Sequence, residues 1–192
     1  RTTSQRCIPR SDSEKFFSTG NKDLDRVLGG GYKRGSIVLL EVGKNVPRKA
    51  WTLITYPIGL NFRSQHRHVM VIPPEGRDTE EILSELALFL DRETVEKYTK
   101  MAGLGIPHEM RNKPYIVNDL NEEDFLRDYL IWCKVIDELR RNGKPILQII
   151  GYNRLSALYP EEEIRKGIGL AATYTTHHGD LLLVITMPGI EN

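Results

Sequence analysis

The chain has 192 residues, of which 40% are hydrophobic and 28% are charged, a balance typical of a globular protein and not of a disordered or fibrous one. Its formal net charge of +1 excludes a general electrostatic attraction to nucleic acid, although a local basic face remains compatible with it. The absence of any apolar run near 18 residues, together with two isolated cysteines, argues against a membrane protein and predicts a reducing, cytoplasmic setting.

The first residues divide into a tail and the start of a domain. Residues 1–17 are polar and aperiodic and predict an N-terminal tail or arm, whereas residues 18–192 predict one domain. Residues 21–28 predict a short helix that three following glycines end, and its apolar side chains are expected to turn inward: Leu24, Val27 and Leu28.

A strand, a loop and a helix follow in that order. The unbroken apolar run at residues 37–40 lies between Gly35 and Gly43 and predicts a strand over 36–42 that is buried on both faces. The apolar-rich segment 51–61 predicts a helix, which Pro57 is expected to kink or end. A phosphate-binding loop occurs in this strand–loop–helix context.

The loop departs from the phosphate-binding pattern G-x-x-x-x-G-K-[ST]. Gly43 and Lys49 hold the required spacing, but Arg48 replaces the second glycine, Ala50 replaces the hydroxyl that would contact Mg²⁺, and Pro47 removes an amide donor. A lost hydrogen bond to a charged group costs about 1.5–3 kcal/mol, and a left-handed non-glycine residue adds roughly 1–2 kcal/mol. Micromolar binding amounts to about 8 kcal/mol, so these changes predict a loop that has the position of a P-loop without its chemistry.

The opening of the domain resembles a known family. Ser18-Thr19-Gly20, Leu24-Asp25, Leu28-Gly29-Gly30-Gly31 and Gly35 are similar in order and spacing to the start of the RecA-superfamily ATPases of the KaiC and RadA type. The resemblance implies an α/β, RecA-like P-loop NTPase fold, with a mainly parallel central sheet and helices on both faces. It also implies ATP or ADP with Mg²⁺ as ligand, and a nucleotide site at a boundary between subunits.

Two further positions of the family bear on catalysis. The resemblance places Glu75, just beyond the predicted strand 68–72, where the family has the glutamate that polarises the attacking water. Residues 153–158 resemble the family's strand-to-loop continuation after the strand 146–150, which places Gly151 where the magnesium-binding aspartate belongs. Both metal-organising positions, Ala50 and Gly151, therefore lack a ligand, which predicts that the site no longer performs the chemistry.

The remaining elements follow from periodicity and from turn residues. They are strands at 115–117 and 181–186 and helices that begin at residue 78, span about 121–141 and span 161–178. The adjacent His177 and His178 point about 100° apart on a helix, and His66 and His68 lack a third ligand. Both pairs are therefore interpreted as structural, and no metal site is predicted.

Three functional hypotheses belong to different classes. The first is a pseudo-ATPase without cofactor that serves as a regulatory or scaffold subunit, in a homo- or hetero-oligomer of RecA-like subunits that meet near the loops after residues 42, 72 and 151. The second is a weak or unconventional ATPase, accessory to DNA recombination or repair, that uses Lys49 and Glu75, with Lys44 or Asp78 as further candidates. The third is a nucleic-acid-binding module, for which the scattered basic residues give no specific indication. The missing hydroxyl and aspartate favour the first.

The cations of the loop lead to one geometric prediction. Lys44, Arg48 and Lys49 lie at the start of a helix, where positive charge is unfavourable by about 0.3–1 kcal/mol per residue. The ends of strands 36–42 and 68–72 should meet at one edge of the sheet. We therefore expect Glu75 or a neighbouring carboxylate to pair with Lys49 or Arg48 in the space where phosphates would bind.

Overall fold

A computed structural model describes residues 12–72, 74, 115–116, 133–134, 136–141 and 143–187, without the side chains at 48–49 and 115–116. The strands are β1 Phe16–Phe17, β2 Tyr32–Lys33, β3 Ser36–Glu41, β4 Val69–Ile72, β5 Tyr115–Ile116, β6 Leu147–Gly151 and β7 Leu181–Thr186. The helices are α1 Lys22–Val27, α2 Arg48–Ser64, α3 Tyr152–Leu158 and α4 Glu161–His178, and residues 133–134 and 136–140 are helical as well. Within these ranges, every helix is too short or too polar to cross a membrane.

A parallel sheet organises the described residues. Its strands follow the order β3-β7-β6-β4-β5, and each neighbouring pair is parallel. Parallel neighbours require crossover connections, which place helices on the faces of the sheet. A separate antiparallel pair, β1 and β2, brings Phe17 opposite Tyr32.

Helices cover both faces of this sheet. On one face α2 packs against β6 and β7, and the buried side chains there include Trp51, Ile58, Phe62, Leu147 and Leu183. On the other face α3, α4 and residues 136–139 pack against β4, β6 and β7, with Leu155, Ile164, Ala171, Leu139 and Ile150 among the buried side chains. The α/β fold with a parallel sheet and helices on both faces is therefore confirmed.

The sequence located the last helix and strand accurately. Helix α4 and strand β7 have the predicted bounds, and Gly179 ends α4 in a left-handed conformation with φ 67°. Its amide donates to the Thr175 carbonyl, as in a glycine C-cap. Most of the predicted helices after residue 78 and at 121–141 lies outside the described residues.

The prediction that the strand at 36–42 is buried on both faces is wrong. Strand β3 is a terminal strand of the described sheet, and its burial alternates along its length. Ile37 and Leu39 are 44% and 63% exposed, while Val38 and Leu40 pack against the α2 face of the sheet. A run of apolar residues indicates a strand but does not distinguish a central strand from one at an edge.

Val27 of α1 and the C-cap residue Leu28 also contradict the prediction that they turn inward. Val27 is 77% exposed and Leu28 is 41% exposed. The residue that contacts the body of the domain is Asp25, through Ser18 and Thr19. Because successive helical residues are separated by about 100°, this contact turns Val27 away from the domain.

Helix α2 continues through Pro57 to Ser64, so of the two effects expected of this proline, a kink or an end of the helix, the end is wrong. A proline inside a helix costs about 3 kcal/mol or more. The buried side chains on both sides of it, Trp51, Ile58 and Phe62, each contribute roughly 1.5–3 kcal/mol when fully buried. Packing of this face on the sheet therefore outweighs the local cost.

Candidate functional site

The loop after β3 is a closed turn at the carboxyl edge of the sheet. The amide of Val42 donates to the Thr186 carbonyl at 2.8 Å, which fixes the end of β3 against β7. The amide of Val46 then donates to the Gly43 carbonyl at 3.1 Å. Lys44 and Val46 are exposed. The turn therefore uses one of the amides that a phosphate-binding loop would direct toward its ligand.

The first turn of α2 also leaves few backbone amides free for a phosphate. Pro47 is the N-cap residue, it has no amide hydrogen, and its side chain makes no capping hydrogen bond. The amide of Ala50 donates to the Pro47 carbonyl at 2.8 Å. Ala50 itself offers a methyl group where the pattern requires a hydroxyl.

Gly151 occupies the end of β6. It is buried, pairs in register with Ile185 of β7 and serves as the N-cap of α3. Residues 153–158, expected as a strand-to-loop continuation, belong instead to helix α3, so this prediction is wrong. The chain passes directly from the buried strand into a helix because residues 152–158 lack glycine and proline and place Leu155 in the core.

Asn153 fastens the loop after β7 to α3. Its Nδ2 donates to the Met187 carbonyl at 3.1 Å, and its Oδ1 accepts from the Met187 amide at 2.8 Å. Both polar atoms of the side chain are thus committed to the backbone. The ends of β3 and β6 flank this anchored end of β7, and each strand spacing is about 4.8 Å.

The predicted site residues are brought together in part. The structure places Gly43, Lys44 and Ala50 in the loop and the first turn of α2, and it places Gly151 two strands away at the same edge. The side chains of Arg48 and Lys49, and the whole of Glu75, lie outside the described residues. The predicted pairing of Glu75 with Lys49 or Arg48 therefore stays a prediction.

The motif before the loop forms a polar network. The carboxylate of Asp25 accepts from the Ser18 hydroxyl at 2.5 Å, and from the amide and hydroxyl of Thr19 at 2.7 and 2.6 Å. Burial, and secondarily the charge of Asp25, raises the pKa of Tyr32. The hydrogen bonds of Asp25 thus join α1 to Ser18 and Thr19, the residues that follow β1.

A buried ion pair, which the sequence did not reveal, joins the N-terminal segment to the end of α2. Asp12 pairs with Arg67 and also accepts from the Ser18 amide and from Asn61 Nδ2, at 2.8 and 3.0 Å. The Arg67 guanidinium lies over the ring of Phe17 at 5.2 Å. Sequence periodicity carries no signal for a pair so far apart along the chain.

A buried contact between an arginine and a histidine lies where α2 ends and β4 begins. Arg63 and His68 are 4% and 2% exposed, and Arg63 Nη1 lies 3.5 Å from His68 Nδ1. Within the described part of the chain, Arg63 Nε and Nη2 and His68 Nε2 lack hydrogen-bond partners. Burial lowers the pKa of Arg63 to about 10, so this guanidinium stays charged at neutral pH. Burial, with the charges of Arg63 and Lys144, lowers the pKa of His68 to about 4.

Comparison with known proteins identifies the family. A family model described as GvpD basic region 2 matches residues 7–106, which are 100 of the 192 residues. The chain belongs to the GvpD basic region 2 family. The matched segment contains the closed loop, Arg63, Arg67 and β4.

Two proteins of Halobacterium salinarum (strain ATCC 700922 / JCM 11081 / NRC-1) are similar to this GvpD-family chain. Protein GvpD1 is 40% identical over 90 residues, which cover 47% of this chain and 17% of that protein. Protein GvpD2 is 26% identical over 189 residues, which cover 94% of this chain and 37% of that protein. The chain thus spans well under half the length of these curated relatives.

Proposed function

We propose that this chain is a RecA/KaiC-like domain with a degraded nucleotide site, a pseudo-ATPase that acts as a regulatory or scaffold part of a gas vesicle protein of the GvpD type. The observation that carries the proposal is the closed turn between β3 and α2. Its Val46 amide is bonded to the Gly43 carbonyl, and Pro47 has no amide to offer. Two donors that would surround a phosphate are therefore absent from the cradle.

The metal positions support the same proposal. Mg²⁺ in such sites is held by a hydroxyl in the first turn of the helix and by an aspartate at the end of a neighbouring strand. Here the corresponding residues are Ala50 and the buried Gly151, neither of which has an oxygen in its side chain. Asn153, in the first turn of α3, is already bonded to Met187 through both polar atoms of its side chain.

The energetic argument concerns nucleotide affinity. Each lost charge-assisted hydrogen bond costs about 1.5–3 kcal/mol, and two are lost from the loop. This is a large part of the roughly 8 kcal/mol that micromolar binding requires. The exposed Lys44 attracts anions at the surface, but exposed charge without a formed cradle contributes little affinity.

Calorimetric titration with ATP and with ADP, each with and without Mg²⁺, tests the proposal. We expect neither micromolar binding that depends on Mg²⁺ nor ATP turnover above background. The triple variant Arg48→Gly, Ala50→Thr, Gly151→Asp is the matched comparison, and it should recover at most weak binding because Pro47 still interrupts the loop. A magnesium-dependent dissociation constant in the micromolar range for the unchanged chain would refute the pseudo-ATPase and support a weak ATP-binding protein.

A further inference from the structure

The side chain of Arg63 is buried at the end of α2, and one edge of its guanidinium is unused. Within the described residues, Nε and Nη2 of Arg63 lack hydrogen-bond partners, whereas Nη1 lies 3.5 Å from Nδ1 of His68. The N–H groups of Nε and Nη2 point side by side, and this fork matches two oxygens of a carboxylate or phosphate group. The unused edge is therefore the part of an arginine that oxyanions bind.

The described charges around this edge do not compensate it. Arg63 stays charged at neutral pH although it is buried. The charges that lower the pKa of His68, after burial itself, are those of Arg63 and Lys144, and both are positive. Arg67, in the same turn, differs because it pairs with the buried carboxylate of Asp12. A buried charge without a counter-charge is costly, and an anion at the unused edge would remove this cost.

His68 adds another donor to the same cluster. A guanidinium donates hydrogen bonds and accepts none, so the contact with Arg63 favours the neutral imidazole whose Nδ1 accepts and whose Nε2 carries the hydrogen. This Nε2 is buried and lacks a partner among the described residues. The cluster thus contains three unsatisfied donors, Nε and Nη2 of Arg63 and Nε2 of His68. A ligand that accepts without donating, such as an anion, suits these donors.

The backbone of the turn between α2 and β4 holds Arg63 in place. The Arg63 carbonyl accepts from the His66 amide at 3.0 Å, and the Phe62 carbonyl accepts from the amides of Gln65 and Arg67 at 3.1 and 3.0 Å. His66 has the left-handed conformation, φ 58°, that commonly ends a helix. The position of Arg63 is therefore set before any ligand binds, which lowers the entropic cost of binding.

We propose that Arg63 binds an oxyanion, a phosphate or carboxylate group, through two parallel hydrogen bonds from Nε and Nη2. The site lies at the amino edge of the sheet, where β4 begins, whereas the loop after β3 lies at the carboxyl edge. It is therefore separate from the degraded nucleotide site and goes beyond the function proposed above. The bound anion stabilises the folded chain, because the unfolded chain does not form the site.

Urea unfolding and refolding at constant pH and ionic strength test the binding, with chloride as the reference anion and phosphate or acetate as the ligand. Because the chain refolds in the presence of the anion, the buried position of the edge does not prevent its occupation. We expect phosphate or acetate to raise the midpoint of unfolding relative to chloride, and the more effective of the two identifies the ligand as a phosphate or a carboxylate group. A midpoint that neither anion raises would overturn the proposal.

Variants at Arg63 separate this site from general salt effects. Phosphate stabilises most proteins because it is excluded from their surface, so that part of the rise should remain in every variant. Arg63→Met should lose the additional rise. Arg63→Lys keeps the charge without the fork, and it should weaken anion affinity about tenfold or more, since one charge-assisted hydrogen bond is lost. Arg165→Met, at an exposed position of α4, is the matched control and should respond as the unchanged chain does.

Two further measurements locate the anion. The ring resonances of His68 should move with the effective anion in the unchanged chain and stay in place in Arg63→Met, as observed by NMR. Lys44→Met should keep the whole response, because Lys44 lies in the loop after β3. A response that is lost in Lys44→Met, or one that is equal in Arg63→Met and the unchanged chain, would overturn the assignment of the anion to Arg63.

Discussion

Gly20 lies against the backbone of Pro57, so close that a Cβ atom on Gly20 would lie 2.5 Å from the Pro57 carbonyl oxygen. Gly20 also has φ +79°, a left-handed conformation that side chains disfavour. The contact sets the segment before α1 directly on α2. A glycine in a motif that resembles nucleotide-binding proteins thus has an architectural role here.

We expect Gly20→Ala to lower the free energy of unfolding by about 2–5 kcal/mol. Roughly 1–2 kcal/mol comes from the left-handed conformation, and about 1–3 kcal/mol comes from the clash with a close-packed neighbour. Urea unfolding followed by circular dichroism measures the change.

Gly29→Ala separates these two contributions. Gly29 has nearly the same φ, +74°, but no atom lies within 4 Å of its ideal Cβ position. Its substitution should therefore cost about 1–2 kcal/mol, from conformation alone. Equal losses in the two variants would mean that the segment moves away from Pro57 without cost.

The same substitution at two neighbouring arginines should have opposite outcomes. Arg63→Met removes a buried guanidinium whose Nε and Nη2 lack partners among the described residues, so stability should change by less than about 1 kcal/mol or increase. Arg67→Met leaves the buried carboxylate of Asp12 without its cation, and it should cost about 3–5 kcal/mol. Thermal and urea unfolding of both variants decide this, and a large loss in Arg63→Met would contradict the interpretation of Arg63 as uncompensated.

Stability should depend on pH through His68. Its pKa in the folded protein is lowered to about 4, below the usual value of 6.5, by burial and by the charges of Arg63 and Lys144. Between these values the unfolded chain binds the additional proton, so stability is complete above about pH 6.5 and falls as the pH decreases toward about 4. His68→Gln should flatten this part of the curve of unfolding free energy against pH. NMR titration should also find a higher pKa for His68 in Arg63→Met, and an unchanged value would contradict the coupling.

The ion pair at the start of β7 provides a fourth prediction. Asp180 is fully buried, accepts from Arg140 at 2.5 and 3.2 Å and accepts from the Ile146 amide at 3.0 Å. Arg140→Ala should therefore cost about 3 kcal/mol or more, because it leaves a buried charge unpaired.

Arg165→Ala is the control for this prediction. Arg165 pairs with Glu161 at 3.0 Å on an exposed face of α4. Its loss should cost less than about 0.5 kcal/mol. If Arg140→Ala lowered the free energy of unfolding as little as Arg165→Ala does, water or another group would have to solvate Asp180.

The sequence predicted best where hydrophobic periodicity and local turn residues agree. Helix α4 has buried residues at a helical spacing and a glycine that ends it, so its bounds follow from local chemistry. The same rules could not decide whether Pro57 ends the helix, and α2 continues past it because its stability comes from packing on the sheet. They also failed at Ile37 and Leu39, because edge position depends on the order of strands, which a local apolar run does not encode.

From the sequence, the candidate site could be predicted only as a set of residues that differ from the phosphate-binding and magnesium-binding pattern. The sequence correctly located the loop between a strand and a helix and the glycine at the end of β6. It could not indicate that Val46 closes the turn or that Asn153 holds Met187, because both depend on backbone geometry. The Asp12–Arg67 pair and the Arg63–His68 contact likewise depend on tertiary packing.

The order of strands has a consequence for the path of folding. The partner of β3 is β7, which is the last described strand, so the ladder between them closes a loop of well over a hundred residues. Contacts of such long separation slow folding, because the entropy of closure precedes any gain from pairing. During synthesis β3 cannot acquire this neighbour until β7 has left the ribosome. A nascent chain that stops before residue 181 therefore leaves the β7 side of β3 unpaired, and unpaired strand edges make such species prone to aggregation.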